Sequence, residues 1–569
     1  MALIVSVWIV AFLCFTGVGA LVGRLLGART RNLSGWFANF WVGWGATVGL
    51  LQLWNLWLPI NGWALAFVIA CGLVGVTLAL RETDRIGGEK APEYLGLGVV
   101  WVLLAGLSAL EASGPLTDGA SGDYQLASVA WAKAFPLVKG LGNLFPRLAF
   151  NQSFFLYEAL LDVGPFARNS YQLANGLLEV VLVGQCLWGL WHLLRSQGKV
   201  RLSDLFFSLM LGPVLIQITD ERFRSLSADP GLFFVGVALF GMLIDFLCDR
   251  KEREEPPEPA LLQMLVMAAV GIVCKLSFTG FAVGALLVAL GVYWRENRAA
   301  AKRIWGSLIS RGAGVVLLIM VPWIARGILL SGYPVFPSTF GGLPVEWRVP
   351  APLAQGELSW IQLRARNPGV PASEATPSRK WIGPWIKSLP NSVVKPLEIS
   401  ACILLFLALA LRRSHWRERS GPVAVLLIVP LVSLLAWFFA APDPRFAGAS
   451  FWILLATVLL LASVALFDLA NPAYKGVTIG LCLLFFIWVS PFTSYQPPGR
   501  LRDLLVPTQT IRVPSYQSVT LASGDRVNVV SPLIGCWDIP LPCTDNFHPG
   551  LELLTPGQIA GGFKLSGSP

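Results

Sequence analysis

The run Y-L-G-L-G-V-V-W-V-L-L-A-G-L-S-A-L-E-A, residues 94–112, leads directly into S-G-P-L-T-D-G-A-S-G-D-Y-Q-L-A, residues 113–127. The first stretch is apolar over a length that crosses the hydrocarbon core of a bilayer. It lacks the two-residue alternation of a strand, so it reads as a membrane-spanning helix. The second stretch puts Asp118 and Asp123 where that helix leaves the lipid. Carboxylates this close to lipid are costly to keep unless something uses them.

Working outward, similar runs recur at 2–23, 36–58, 63–80, 172–192, 203–219, 230–247, 259–274, 277–294, 308–326, 394–411, 422–440, 448–466 and 476–491. The expected fold is an all-α polytopic membrane protein with about 14 transmembrane helices. Composition agrees: 55% of the 569 residues are hydrophobic and 13% charged, against about 25% charged in soluble domains. The net charge of +10 does not call for nucleic acid as a partner. Lys and Arg gather in short connections at 24–31, 195–201, 250–253, 295–303 and 412–419, all on one side when the runs are counted. By the positive-inside rule that side is cytoplasmic, and both termini lie outside. The first run has no basic leader or small-residue cleavage site and reads as a retained span.

Three segments outside the lipid fall on the outer side: 113–171, 332–392, and a tail from 493 to 569 that follows a multispanning part, 1–492. In the first, A-S-V-A-W-A-K-A-F and N-Q-S-F-F-L-Y-E-A-L-L read as short amphipathic helices lying along the interface. In the tail, V-P-S-Y-Q-S-V-T-L and R-V-N-V-V-S alternate enough for a strand pair. Seven of the nine Cys lie in apolar runs and suit packing. Cys536 and Cys543, in the tail, are expected to close a disulfide if the compartment is oxidising; two free thiols are the alternative. No internal repeat is evident, and no Walker, dinucleotide or nucleophile-elbow motif stands in a credible context.

Candidate chemistry follows from the charged residues at the outer boundary. Asp118 and Asp123, in a loop made pliable by Gly119 and Gly122, are candidate catalytic carboxylates, since a carboxylate can draw the proton from an attacking hydroxyl. The competing reading is that either one caps the helix starting near Tyr124. The loop T-D-E-R-F-R-S-L-S-A-D-P-G, 219–231, brings Asp220, Glu221 and Asp229 with Arg222 and Arg224. These could join the first loop in binding a divalent cation such as Mg or Mn, bind phosphate through the arginines, or form a local ion-pair network. In A-P-D-P-R-F-A-G, 441–448, Arg445 stands between restrained residues and suits a phosphate; the alternative is an arginine reaching to lipid headgroups. Lys275 and Arg326 could assist, or serve as anchors ending their spans. Trp347, Trp360, Trp381 and Trp385 could offer faces to sugar rings or form an interfacial belt. His192 and His415 fall on the cytoplasmic side, which leaves no histidine metal site.

The acidic motif in an early outer loop, interfacial helices after it, a second acidic outer loop and many spans together resemble the GT-C superfamily of integral membrane glycosyltransferases. G-D-Y-Q-L-A, P-L-V-K-G-L-G-N-L-F-P-R-L-A-F-N-Q-S-F-F (136–155), R-G-I-L-L-S-G-Y-P-V-F-P, D-P-R-F and C-W-D-I-P-L-P-C-T are similar to a group of bacterial multispanning proteins within it. The resemblance implies an inner-membrane enzyme of cell-envelope polysaccharide synthesis. Its donor would be a polyprenyl-phosphate-linked sugar, its acceptor a glycan, lipid or protein, and its reaction inverting. Asp118 or Asp123 would then be base or metal ligand, and Arg445, with Lys275 or Arg326, would meet the donor phosphate. The chain departs from the superfamily pattern in setting three spans ahead of the one that leads to the acidic loop. Two alternatives share the compartment. A transporter or flippase of lipid-linked saccharide should carry its charges near the midplane. An oligosaccharide ligase or polymerase should carry arginines and a histidine in its large outer loop; 332–392 has Arg348, Arg364, Arg366 and Arg379 but no His.

Overall fold

The computed structural model describes residues 1–30, 32–83, 91–195, 200–249, 256–297, 301–367, 380–410, 416–466 and 511–566, with positions 370, 476 and 480. The first group of helices is α1 (Ala2–Leu26), α2 (Leu33–Trp57), α3 (Gly62–Glu82) and α4 (Ala91–Ala112). Three short helices follow, α5 (Leu126–Ala134), α6 (Leu141–Leu144) and α7 (Phe154–Leu161). Then come α8 (Ala174–Arg195), α9 (Leu202–Ile216), α10 (Ala228–Ile244), α11 (Pro257–Cys274), α12 (Thr279–Glu296) and α13 (Ala301–Ser331). The last group is α14 (Ala351–Arg366), α15 (Ile382–Ser388), α16 (Asn391–Ala410), α17 (Trp416–Leu426), α18 (Ile428–Ala440) and α19 (Ser450–Leu466).

Eleven helices among the described residues are long and apolar enough to cross a membrane, α17 and α18 counting as one. The chain is thus a helical polytopic membrane protein, with eleven qualifying helices where the sequence led us to expect about 14. The differences have plain causes. Helix α2 has the length, but Trp, Asn and Gln dilute its apolarity; α19 has 17 residues, and 476–491 lies outside the described residues apart from two positions. Small residues let the first helices touch backbone to backbone. A Cβ added to Gly17 would lie 1.9 Å from the Gly72 carbonyl oxygen, and one on Gly43 would lie 1.8 Å from that of Phe15. Such contacts replace the hydrophobic drive that lipid cannot supply between helices.

The connections that hold the candidate residues gather at one end of the bundle. There α5 follows a π-helical turn at Ser121–Gln125 and packs on α7. Helix α7 corrects an expectation: all eight of its residues are buried. F-F-L-Y-E-A-L-L has no polar face to offer water, so it sits inside the bundle and not along the interface.

The tail forms β1 (Gln517–Thr520), antiparallel to β2 (Arg526–Val529), which pairs in parallel with β3 (Cys543–Thr544). A second pair joins β4 (Leu551–Leu553) to β5 (Phe563–Leu565). Cys536 and Cys543 are disulfide-bonded. The tail is stitched to the first loop: Phe563 N donates to Lys139 O at 2.9 Å, and Thr544 Oγ1 to Leu144 O at 2.9 Å. A second core, containing Trp131, Val138, Leu144, Tyr333, Phe336 and Phe563, unites the 113–171 segment, the residues after α13 and the tail.

Candidate functional site

The two aspartates of the first loop have different roles. Asp118 is buried, and its Oδ2 accepts from both the backbone N and the Oγ of Ser121, each at 3.0 Å. It therefore caps the turn that carries Asp123, as Asp favours at such positions. The capping alternative belongs to Asp118, not to Asp123. Asp123 is free of that duty and pairs with Arg147 of the Pro146–Ala149 turn.

Arg147 holds more than one acid. Its Nε lies 3.4 Å from Glu357 of α14, and its guanidinium stacks on Trp360 at 4.2 Å. Asp545, just past β3, adds its field to the same group. Burial pushes Asp123 above the usual carboxylate range; Arg147 pulls it back and Asp118 adds to the rise. Burial likewise raises Glu357, against the pull of Arg147. Asp545 is pushed up to about 6 by burial and then by Asp123. Three carboxylates around one guanidinium make ionising all of them costly, an arrangement suited to acid–base chemistry near neutrality. Glu357 and Asp545 had no signal in the sequence, because only the fold brings them to Asp123.

The tail closes over this loop. Trp537 N donates to Gly122 O at 2.8 Å, and a Cβ on Gly122 would lie 2.1 Å from the indole. On the other side Leu226 N donates to Ser121 Oγ at 3.2 Å, which joins the second loop to the first. Arg224 reaches Glu111 at the end of α4, at 2.7 Å.

In the second loop Asp220 is held by Arg222, at 2.5 Å, and Glu221 is exposed. Asp229, in the first turn of α10, pairs with Lys275. Arg445 lies 3.1 Å from Asp443, and both Arg445 and Lys275 lie over the Phe446 ring, at 4.7 and 4.5 Å. The fields of Arg445, Asp229 and Asp123 all reach Tyr124, whose phenol burial pushes up to about 12. Tyr124 thus feels both the acidic group and this basic one, and its ring packs on Phe150 and Phe155. The 114–127, 219–231 and 441–448 loops share one polar region. A small hollow of about 20 Å³ beside Arg445 is lined by Asp229, Ser277, Ser433 and Ser450.

Arg326 is elsewhere. It is buried in α13, with Nη1 donating to Asn55 Oδ1 at 2.9 Å and Nε to Asn151 Oδ1 at 3.3 Å, and it does not join Lys275 and Arg445. The tryptophans are mostly structural. Trp385 is buried, donates to Pro442 O at 2.8 Å and packs on Trp437, so it braces the third loop and presents no open face. The Trp360 face is covered by Arg147. Among the described residues no three His, Cys, Asp or Glu side chains come together as a metal-binding group. In the second loop Asp220 and Asp229 are committed to Arg222 and Lys275 and Glu221 is exposed, so these residues do not fit a divalent ion shared with the first loop.

No curated protein and no solved structure matches the chain. Residues 1–452 match a family described as Domain of unknown function (DUF8201), a stretch that includes all three converging loops and stops short of the tail. With most of its 569 residues inside that match, the chain belongs to the DUF8201 family.

Proposed function

We propose that the protein is a GT-C-type membrane glycosyltransferase. It would move a sugar from a polyprenyl-phosphate-linked donor to an acceptor hydroxyl at the outer face of the bacterial plasma membrane. The observation that carries this reading is the convergence of three loops, distant in sequence, around a half-buried carboxylate, Asp123, whose proton affinity is raised, and a neighbouring cation pair. Among the described residues Arg24, Arg195, Arg201 and Arg295 lie at the other end of their helices, which by the positive-inside rule turns this end outward.

In the proposed reaction the acceptor oxygen forms a bond to the anomeric carbon as the bond from that carbon to phosphate breaks. The hydroxyl proton passes to Asp123, and the leaving phosphate takes the electron pair. Asp123 is assigned this role over Asp118 because Asp118 Oδ2 is committed to Ser121. A carboxylate held above its ordinary range is a better base near neutrality. Arg445 and Lys275 meet the charge that develops on phosphate, as cations do best in a site that excludes water. The carboxylates that border the candidate site sit at helix ends, with Glu111 ending α4 and Asp229 opening α10, while Glu179 is buried farther along α8.

The test is transfer of radiolabelled sugar from polyprenyl-phosphate donors in membranes carrying the protein. Asp123→Asn should abolish transfer while leaving membrane insertion and detergent extraction unchanged. Full transfer by a normally inserted Asp123→Asn protein would remove the mechanism.

A further inference from the structure

Arg326 is a cation without an acid. The residue is 6% exposed, and its hydrogen bonds go to two neutral amide oxygens, those of Asn55 and Asn151. Among the described residues no carboxylate pairs with it. An arginine that ends a span as a lipid anchor points outward into the headgroups, whereas this one points inward. Buried charges are ordinarily paired, because desolvation is not repaid otherwise. Asn151, which accepts from Arg326, is held at φ 53 and ties back to Trp323 through two backbone-carbonyl bonds, of 2.7 and 2.9 Å. The cradle is thus built, and the side chain is fixed by the structure around it.

What it faces is a hollow. Arg326 lines a cavity of about 40 Å³ together with Ser128, Arg147, Gln152 and Trp131. At roughly 10–15 Å³ per water-sized probe position, it accommodates the oxygens of one small oxyanion. No residue lines both this cavity and the one beside Arg445. The two cavities differ in charge balance. Lys275 and Arg445 already face Asp229 and Asp443, whereas Arg326 faces none. Arg147 lines the cavity and also holds Asp123, so an anion seated here adjoins the carboxylate assigned as base.

We propose that this cavity is a second anion subsite, which seats a phosphate or carboxylate group of the acceptor substrate through Arg326. The word acceptor rests on the glycosyl-transfer reading; the oxyanion site itself does not. The experiment is a thermal-shift titration of the full-length protein in detergent with inorganic phosphate, and separately with a short-chain prenyl phosphate. Inorganic phosphate should raise the Tm of wild type and of Arg445→Gln alike, and its apparent affinity should fall at least tenfold in Arg326→Gln. Ser128→Leu fills the hollow without removing Arg326 or its amide partners, and should lose the response as well if Arg326→Gln fails to fold. Prenyl phosphate binding that survives Arg326→Gln and is lost in Arg445→Gln would place the donor lipid at the other site, as expected. An unchanged phosphate response in folded Arg326→Gln or in Ser128→Leu would overturn the subsite and leave the donor mechanism standing. Phosphate binding that needs Arg326 in a protein with no transfer activity would do the reverse.

Discussion

Replacing Gly122 by alanine tests whether the tail is part of the site. Gly122 lies in the turn that carries Asp123, and its absent side chain is what allows Trp537 to lie against it. The added Cβ would stand 2.1, 2.4 and 2.5 Å from three indole atoms. Carbon atoms rest at about 3.5–4.0 Å, so the ring must withdraw by about 1.5 Å. The clash has no easy outlet: Trp537 is tied to Gly122 O at 2.8 Å, and it neighbours Cys536, which is bonded to Cys543. Forcing a methyl into such a packed contact typically costs about 1–3 kcal/mol. A retreating Trp537 draws the disulfide loop, and Asp545 beyond it, away from Asp123. Gly122→Ala should therefore lower the Tm, expose the tail to trypsin at Arg512 and Arg526, and reduce sugar transfer. Gly119→Ala is the control, since nothing lies within 4 Å of its added Cβ, and it should stay within about 0.5 kcal/mol of wild type. Wild-type Tm, protease pattern and transfer in Gly122→Ala would refute the claim that the tail holds the acidic loop.

Three further outcomes follow from the same geometry. Asp118→Asn keeps a capping oxygen and should retain most of the transfer activity, whereas Asp118→Ala should lose about 1–2 kcal/mol of thermal stability, read by denaturation in detergent. Asp545, raised to about 6 from 3.8, holds its proton more tightly in the folded protein. Its contribution to stability is present below its unfolded value and is lost as pH rises through about 6, so Asp545→Asn should flatten the fall in Tm across that window. The same variant removes a negative charge beside Asp123 and should move the acidic limb of the pH–rate profile to lower pH. The double variant Cys536→Ser and Cys543→Ser releases a short loop, at a cost of about 2–3 kcal/mol by chain entropy, and should make the tail protease-sensitive before the helices unfold.

Much of the architecture is legible because lipid imposes one rule: an apolar run of sufficient length becomes a helix, as 63–80 does within Gly62–Glu82. The misreading of 151–161 has the same root. F-F-L-Y-E-A-L-L is apolar apart from Glu158 and too short to cross, and whether such a segment lies on the interface or inside the bundle depends on neighbours the sequence does not list. Asp118 and Asp123 could have been told apart, since Asp118 precedes Ser121 by three residues, a spacing at which the hydroxyl and N–H of a turn meet a capping carboxylate. The acids around Arg147 could not. Glu357 lies 210 positions from Arg147 and Asp545 lies in the tail, and no local pattern records such meetings. Lys275, Arg445 and Arg326 looked alike as cations near span ends. What separates them is partnership, which appears only once Asp229 and Asp443 are found beside the first two.

The measurement that bears most directly on the account is a structure of the protein in a lipid nanodisc with a polyprenyl-phosphate sugar analogue. The account predicts the phosphate against Arg445 and Lys275, with the sugar end turned toward Asp123 beneath Trp537. A phosphate lodged at the opposite end of the bundle, near Arg201 and Asp245, with the acidic loop untouched, would contradict it.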